Sequence, residues 1–350
     1  MNHSHSKFSA CLLPLAAALV ACFAGTAHGQ TVSFYGVADV YGQYAKGTRN
    51  EVSIESGGLS GSRLGVNASK DLGDGLAAVA KLEAGFQYDN GASGQGGLLF
   101  GRQIYVGVTG GFGALTVGRQ YSPQFNAIDG NDAFSTGAGS AASSGIVSFY
   151  AARANNSVQW VSPTWSGVTT TVLLAAGEAS TGHQTDGSLA YLDVHYGTGP
   201  LSANLTLSGH KKPTDSGVNS GAAMLSGSYD FGAVKLLGGA QVVNNTSGAA
   251  DTPDNRREFW AGVNIPVGAD TLALGAGTSK VKGVGGSTAS QYSAELIHSV
   301  AKGFDVYGVL TSIKNGNATA YTDDSATGSG PQVTPGKTAS AVAVGMRYRF

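Results

Sequence analysis

In the closing segment Ala341-Val342-Ala343-Val344-Gly345-Met346-Arg347-Tyr348-Arg349-Phe350, the even positions hold Val, Val, Met, Tyr and Phe. The odd positions hold Ala, Ala, Gly, Arg and Arg. This period of two constrains the fold more than any other feature. Successive side chains of a β-strand point to opposite faces, so one face is bulky and apolar and the other small or charged. A soluble sandwich also alternates, but its outward face needs many Lys and Glu, and only 12% of this chain is charged. The reading that remains is a strand with lipid on one face, a watery lumen on the other, and aromatics at an interfacial girdle. The first strand repeats it, with Val32, Phe34, Ala38 and Val40 on one parity and Tyr35, Asp39, Tyr41 and Gln43 on the other.

Alternation and turn residues predict sixteen strands, near 32–44, 62–70, 76–88, 98–109, 114–122, 155–162, 168–178, 188–197, 201–210, 221–230, 233–244, 257–265, 271–281, 290–299, 303–313 and 339–350. Short turns such as Asp71-Leu72-Gly73-Asp74, Gly110-Gly111-Phe112-Gly113, Thr198-Gly199-Pro200 and Asp230-Phe231-Gly232 exchange places with long Gly/Ser/Asn-rich loops. The expected fold is therefore all-β, a transmembrane antiparallel β-barrel with short periplasmic turns and long outer loops. An even count places both ends of residues 30–350 on the periplasmic side and leaves no unpaired sheet edge in lipid. One connection, 122–154, is long, rich in Gly, Ala and Ser, and holds Asp129 and Asp132. Side chains cannot fill the lumen of so wide a barrel, and this loop is the natural candidate to narrow it.

Lys7, an apolar run from Ala10 to Ala24 too short to span a bilayer, and Ala27-His28-Gly29 read as a signal peptide over 1–29. The alternative, a lipidated Cys22 after Leu19-Val20-Ala21, fits less well because Ala27-His28-Gly29 leads straight into the strand pattern. Both cysteines, Cys11 and Cys22, fall in this leader, so the mature chain has no disulfide or thiolate metal site. The 21 basic residues, one of them in the leader, face 22 acidic ones without a basic block, which argues against a nucleic-acid partner. A mean hydropathy of zero looks soluble, but the two faces of a barrel strand cancel in any window.

No catalytic constellation emerges. His183, His195, His210 and His298 are scattered, without metal-ligand spacing. Gly336-Lys337-Thr338 lacks the earlier glycine of a phosphate loop and precedes a strand. No enzyme activity, cofactor or metal is expected. Arg119 shares parity with Leu115 and Val117, which aims it outward at a strand end. It either snorkels to the interface or is covered by another subunit.

The segments Gly58-Leu59-Ser60-Gly61-Ser62-Arg63-Leu64-Gly65, Asp71-Leu72-Gly73-Asp74-Gly75-Leu76, Lys81-Leu82-Glu83-Ala84-Gly85-Phe86 and Leu99-Phe100-Gly101-Arg102-Gln103-Ile104-Tyr105-Val106-Gly107 resemble the general porins of the beta-proteobacterial type. Phe34-Tyr35-Gly36-Val37, Val117-Gly118-Arg119-Gln120-Tyr121, Asn156-Ser157-Val158-Gln159-Trp160 and the closing Arg347-Tyr348-Arg349-Phe350 extend the resemblance over the whole mature chain. It implies a homotrimer in the outer membrane, among lipid and lipopolysaccharide. Each barrel would have its own pore narrowed by an infolded third loop, and Phe350 would be read by the barrel-assembly machinery. Its constriction arginines carry over onto Arg63, Arg102 and Arg153, and its loop acids onto Asp129 and Asp132. Lys81 and Glu83 would line the wall nearby. Arg119, with the second loop around Asp89, would touch a neighbouring subunit. Alternation aims Arg63 and Arg153 at the lumen but Arg102, with Ile104, Val106 and Val108, at lipid. Either Gly101 is a bulge that resets the phase, or the carry-over fails there. The proline-glutamate-phenylalanine turn usual in the enteric members is missing.

The expected function is passive diffusion of small hydrophilic solutes and ions. The alternatives are a substrate-specific channel for sugars or carboxylates, with Tyr35, Tyr41 and Tyr105 as an aromatic track, and an outer-loop adhesin or phage receptor. Anion preference follows from the narrow zone, not from the overall balance of −1. Three arginines about 8 Å from an ion each contribute on the order of 0.5 kcal/mol even at the dielectric of water, giving roughly a tenfold bias that the aspartates partly offset.

Overall fold

The computed structural model describes residues 30–177, 185–211, 219–245, 255–323 and 331–350. The expected leader over 1–29 and His183 lie outside these residues. The strands are β1 (Gln30–Lys46), β2 (Asn50–Ser56), β3 (Arg63–Gly73), β4 (Leu76–Gly85), β5 (Gln103–Gly110), β6 (Gly113–Tyr121), β7 (Arg153–Val161), β8 (Val168–Ala175) and β9 (Leu189–Thr198). They continue as β10 (Leu201–Lys211), β11 (Asn219–Asp230), β12 (Lys235–Asn245), β13 (Arg256–Val267), β14 (Asp270–Val281), β15 (Ala289–Ala301), β16 (Phe304–Asn315) and β17 (Thr338–Arg349). All join one antiparallel sheet that closes where β1 pairs with β17, from Val37 opposite Arg349 to Lys46 opposite Ser340.

Sixteen of these units span the wall, because β2 and β3 are two halves of one broken strand. The other edge of β1 is shared, with Val40 to Lys46 pairing with β2 and Gln30 to Val37 with β3. The sequence pattern leaves 45–61 as a loop, since Gly57-Gly58 ends the alternation. What holds the break is the carboxylate of Asp39. It accepts the N–H groups of Gly58, Leu59 and Ser60 at 3.0, 2.9 and 2.9 Å and the hydroxyl of Tyr307 at 2.6 Å. Gly57 turns the chain there at φ +89°, where a side chain is strained.

The period of two sorts lipid from lumen as expected. In β17, Val344 is 67% exposed on the outer wall, whereas Ala343 beside it is 3% exposed. All four predicted short turns connect consecutive strands at one end of the barrel, after β3, β5, β9 and β11. At the seam the ring of Phe350 lies over Gly36, where a Cβ would stand 2.3 Å from the ring, and the two residues exchange backbone hydrogen bonds of 2.8 and 3.1 Å.

The long connection between β6 and β7 folds into the lumen. It opens with helix α1 (Pro123–Gly130), capped by Ser122, whose hydroxyl accepts the Phe125 N–H at 3.2 Å, and started by Pro123 with its preset φ. Its apolar side chains Ile128, Ile146 and Val147 pack with Met224, Trp260 and Ile313 of the wall, so the core of this protein lies between loop and barrel. Full burial of an isoleucine contributes roughly 1.5–3 kcal/mol. Gly275 and Gly277 leave room for the approach, since a Cβ on them would come within 2.5 Å of Phe134 and 2.4 Å of Ala141. Polar ties complete the anchorage. Glu258 accepts the N–H and hydroxyl of Ser148, both at 2.8 Å, Trp260 Nε1 donates to the Asn131 carbonyl at 3.0 Å, and the Ala138 N–H donates to Gly58 at 2.7 Å.

Candidate functional site

Inside the barrel a cavity of ≈ 710 Å³ is bounded by the infolded loop, by the wall from β2 to β7 and by Arg347 of β17, which is paired with Asp305 at 2.9 Å. Arg63, Arg102, Arg153 and Asp129 all line it. Arg63 opens β3 immediately after the segment that Asp39 holds, and the Ser62 hydroxyl fixes the junction by accepting from Asp39 N at 3.1 Å and donating to the Asp39 carbonyl at 2.9 Å. Arg153 opens β7, opposite Tyr121 at the end of β6.

Arg102 sits just before β5, so the parity of Ile104 and Val106 does not govern it. Its backbone N–H donates to the Glu83 carbonyl at 3.2 Å, and its Nε donates to Glu83 Oε1 at 2.9 Å. The guanidinium packs against Gly61, where a Cβ would stand 2.6 Å from Arg102 Nη1. Glu83, nearly fully buried in β4, also accepts the Tyr35 hydroxyl at 2.6 Å, and Lys81 Nζ lies 5.5 Å from the Tyr35 ring centroid. Glu83 and Lys81 thus stand in the wall behind the cavity surface rather than on it.

Tyr121 joins two of the arginines. Its hydroxyl accepts from Arg102 Nη2 at 2.5 Å and Arg153 Nη2 at 2.6 Å, and the Arg153 guanidinium lies 4.3 Å from its ring centroid. Phe125 stacks on the same ring at 5.1 Å and Phe149 meets Phe125 edge-on at 5.4 Å. Sequence parity misses Tyr121, because it shares the odd positions of Leu115 and Val117. A register shift between Gly118 and Gln120 and the turn into the loop bring it inward. The buried Nε atoms of Arg63 and Arg153 have no hydrogen-bond partner, and among the described residues neither arginine has a carboxylate within ion-pair distance.

The two loop acids differ from each other. Asp129 lines the cavity and accepts the Thr136 hydroxyl at 2.5 Å. Asp132 is not brought to the arginines. It accepts the Thr136 N–H at 3.0 Å and the Phe134 N–H at 3.4 Å, bracing the loop's own turn. Burial pushes both carboxyls above the usual carboxylate range, against the pull of these hydrogen bonds.

The other expected residues are placed as follows. Arg119 lies on the outward parity with exposed Val117, half-buried, its Nε donating to the Gly101 carbonyl at 2.7 Å and its Nη1 to Asn155 at 2.5 Å. Asp89 is exposed in the loop between β4 and β5. Of the expected aromatic track, Tyr41 is buried against Leu59 and Tyr307, while Tyr35, bound to Glu83, and Tyr105 are half-buried.

A family model described as Gram-negative porin matches residues 16–318. An outer membrane porin protein 32 of Delftia acidovorans is 29% identical over 96% of this chain and 99% of its own length. An outer membrane porin protein of Bordetella pertussis is 37% identical over 172 residues, a match spanning 44% of this chain and 45% of that relative. Among solved structures, an anion-selective porin from Comamonas acidovorans superposes with a TM-score of 0.82 at 26% identity, covering 92% of this chain and all of the other. With a closed sixteen-unit barrel, an infolded loop and a polar lumen cavity already in place, these matches make the chain a member of the Gram-negative porins, a passive diffusion pore of the outer membrane.

Proposed function

We propose that this pore prefers small hydrophilic anions and that its constriction is formed by Arg63, Arg102 and Arg153 facing Asp129, with Glu83 and Lys81 behind the arginines and Asp132 inside the loop. The observation that carries this reading is that Arg63 and Arg153 line the cavity with, among the described residues, no carboxylate within ion-pair distance. Of the acids near them, Glu83 is engaged by Arg102 and Tyr35, and Asp39 by three N–H groups and Tyr307, so neither offsets them freely. The anion selectivity named for the Comamonas acidovorans structure supports the same sign. Solutes pass by diffusion and no bond is made or broken, in keeping with relatives that are channels. The pore works as a homotrimer with Arg119 and Asp89 on the contact side, sits among lipid and lipopolysaccharide, and presents Phe350 to the assembly machinery. The half-buried outward Arg119, the exposed Asp89 and the exposed terminal ring support these assignments.

The reversal potential across a planar bilayer under a potassium chloride gradient tests the reading. Anion preference is expected, and a potential of cation-preferring sign overturns it. Migration of unheated protein as a monomer on a mild detergent gel would refute the trimer.

A further inference from the structure

The lumen cavity is not polar throughout. Phe125 and Phe149 of the infolded loop, and Phe86 just after β4, line it together with Arg63, Arg102 and Arg153, and all three rings are only half-buried. An apolar ring facing water costs free energy that a fold removes by packing it away, unless something else comes to cover it. A dry core lies close by, where Ile128, Ile146 and Val147 meet the wall, yet Phe125 takes no part in it and Phe149 touches only its edge.

The neighbours of these rings explain their position. Gln124 is turned to the wall, its Nε2 donating to Gln241 at 3.2 Å and its Oε1 accepting the Tyr150 N–H at 3.3 Å. Ser148 is held to the wall by Glu258, which accepts both its N–H and its hydroxyl at 2.8 Å. With Gln124 and Ser148 fixed there, Phe125 and Phe149 are carried to the cavity side, where they meet edge to face with centroids 5.4 Å apart. Phe125 also stacks on Tyr121, the centroids 5.1 Å apart and the planes 9° apart, and the Arg153 guanidinium lies 4.3 Å from the Tyr121 centroid. One assembly thus runs from two phenyl rings through a phenol to a guanidinium. A chloride ion uses only its cationic end, and a neutral sugar has no charge to meet it. A solute that uses the whole of it carries a negative charge at one end of a flat ring.

We propose that Phe125 and Phe149 form a shelf that favours aromatic monocarboxylates among the anions this pore admits, the carboxylate going to Arg63 and Arg153 and the ring to the two phenyl groups. The planar fork of a guanidinium matches a carboxylate, and among the described residues no protein carboxylate lies within ion-pair distance of these two arginines. Aromatic rings attract one another in offset or edge-on arrangements beyond what the covered area alone provides. The inference rests on the anion preference proposed above and narrows it to a class of anion.

The test records single channels of the full protein in potassium chloride and titrates in benzoate, cyclohexanecarboxylate or benzamide, reading the concentration that halves the chloride current. Benzoate is expected to act at about fivefold lower concentration than cyclohexanecarboxylate, which has the same charge and a ring of similar size without π-electrons. Benzamide, which has the ring without the charge, is expected to have little effect. Phe125→Leu with Phe149→Leu keeps apolar volume on the loop and removes both rings, and it should abolish the difference between the two acids. If that pair does not yield channels, Phe125→Leu alone, away from the dry core, should reduce the difference to about twofold. Equal potency of the two acids, a difference that persists in conducting Leu variants, or a block by benzamide as strong as that by benzoate would overturn the proposal. Failure of the anion-preference reading looks different, as a cation-preferring reversal potential with none of these solutes present.

Discussion

The two sides of the lumen cavity treat charge in opposite ways. On the wall, Arg63 and Arg153 line the cavity and among the described residues have no carboxylate within ion-pair distance, whereas Arg102 is paired with Glu83 and Arg347 with Asp305. On the loop, Asp132 is turned to backbone N–H groups away from the cavity, and Asp129 lines the cavity while accepting the Thr136 hydroxyl. A closed sheet satisfies its own backbone, so the wall does not need these arginines to hold its shape. The loop has no ladder to hold it and spends its carboxylates on its own turns. Equal counts of charged groups would therefore mislead, because Glu83 is ion-paired with Arg102 and Asp132 is buried away from the cavity, so pairing and position as well as number set what a passing ion feels.

This contrast breaks first at the wall. Removing two unpaired arginines with Arg63→Ala and Arg153→Ala takes away about 1 kcal/mol of attraction, so the anion-to-cation permeability ratio should fall roughly fivefold. An unchanged reversal potential in the double variant would mean that these arginines do not set selectivity. A smaller shift should come from Glu83→Gln, which releases Arg102 from its ion pair. Anion preference should rise about twofold, as expected for about 0.5 kcal/mol, and single-channel recordings in a salt gradient would read it. If preference fell instead, Glu83 would be acting chiefly by holding Arg102 in place.

The loop sharpens the comparison through its unequal aspartates. Asp129→Asn should raise anion preference by up to about twofold, whereas Asp132→Asn should leave it nearly unchanged and instead loosen the loop, seen as noisier open-channel current. Equal selectivity shifts for the two would contradict their placement. The mildest effect is on pH. Because burial raises the Asp129 carboxyl, it takes up its proton at a higher pH than a free carboxylate. Anion preference should then climb as pH falls from about 7 toward 4, beginning above the ordinary aspartate range, and Asp129→Asn should flatten that rise. A rise of the same size and position in Asp129→Asn would assign it to other groups.

What could be read from the chain alone follows from the local character of alternation. Each residue's parity is set by its neighbours two positions away, so Val344 against Ala343, the tight turns, the sixteen wall units and the inward aim of Arg63 and Arg153 are visible wherever a strand runs unbroken. The spacer 122–154 is likewise marked by its length and lack of period. Parity says nothing once a strand stops or shifts. The inward Arg102 precedes β5, Tyr121 follows a register shift, and β2 is separated from β3 by a break that depends on Asp39, a residue on another strand. Asp132 turns away from the pore because Phe134 and Thr136 offer it N–H groups, a choice made by loop packing against Gly275 and Gly277. Tertiary structure decided these positions because hydrogen-bond partners and close approaches come from segments far apart in sequence, and only closure of the barrel brings them together.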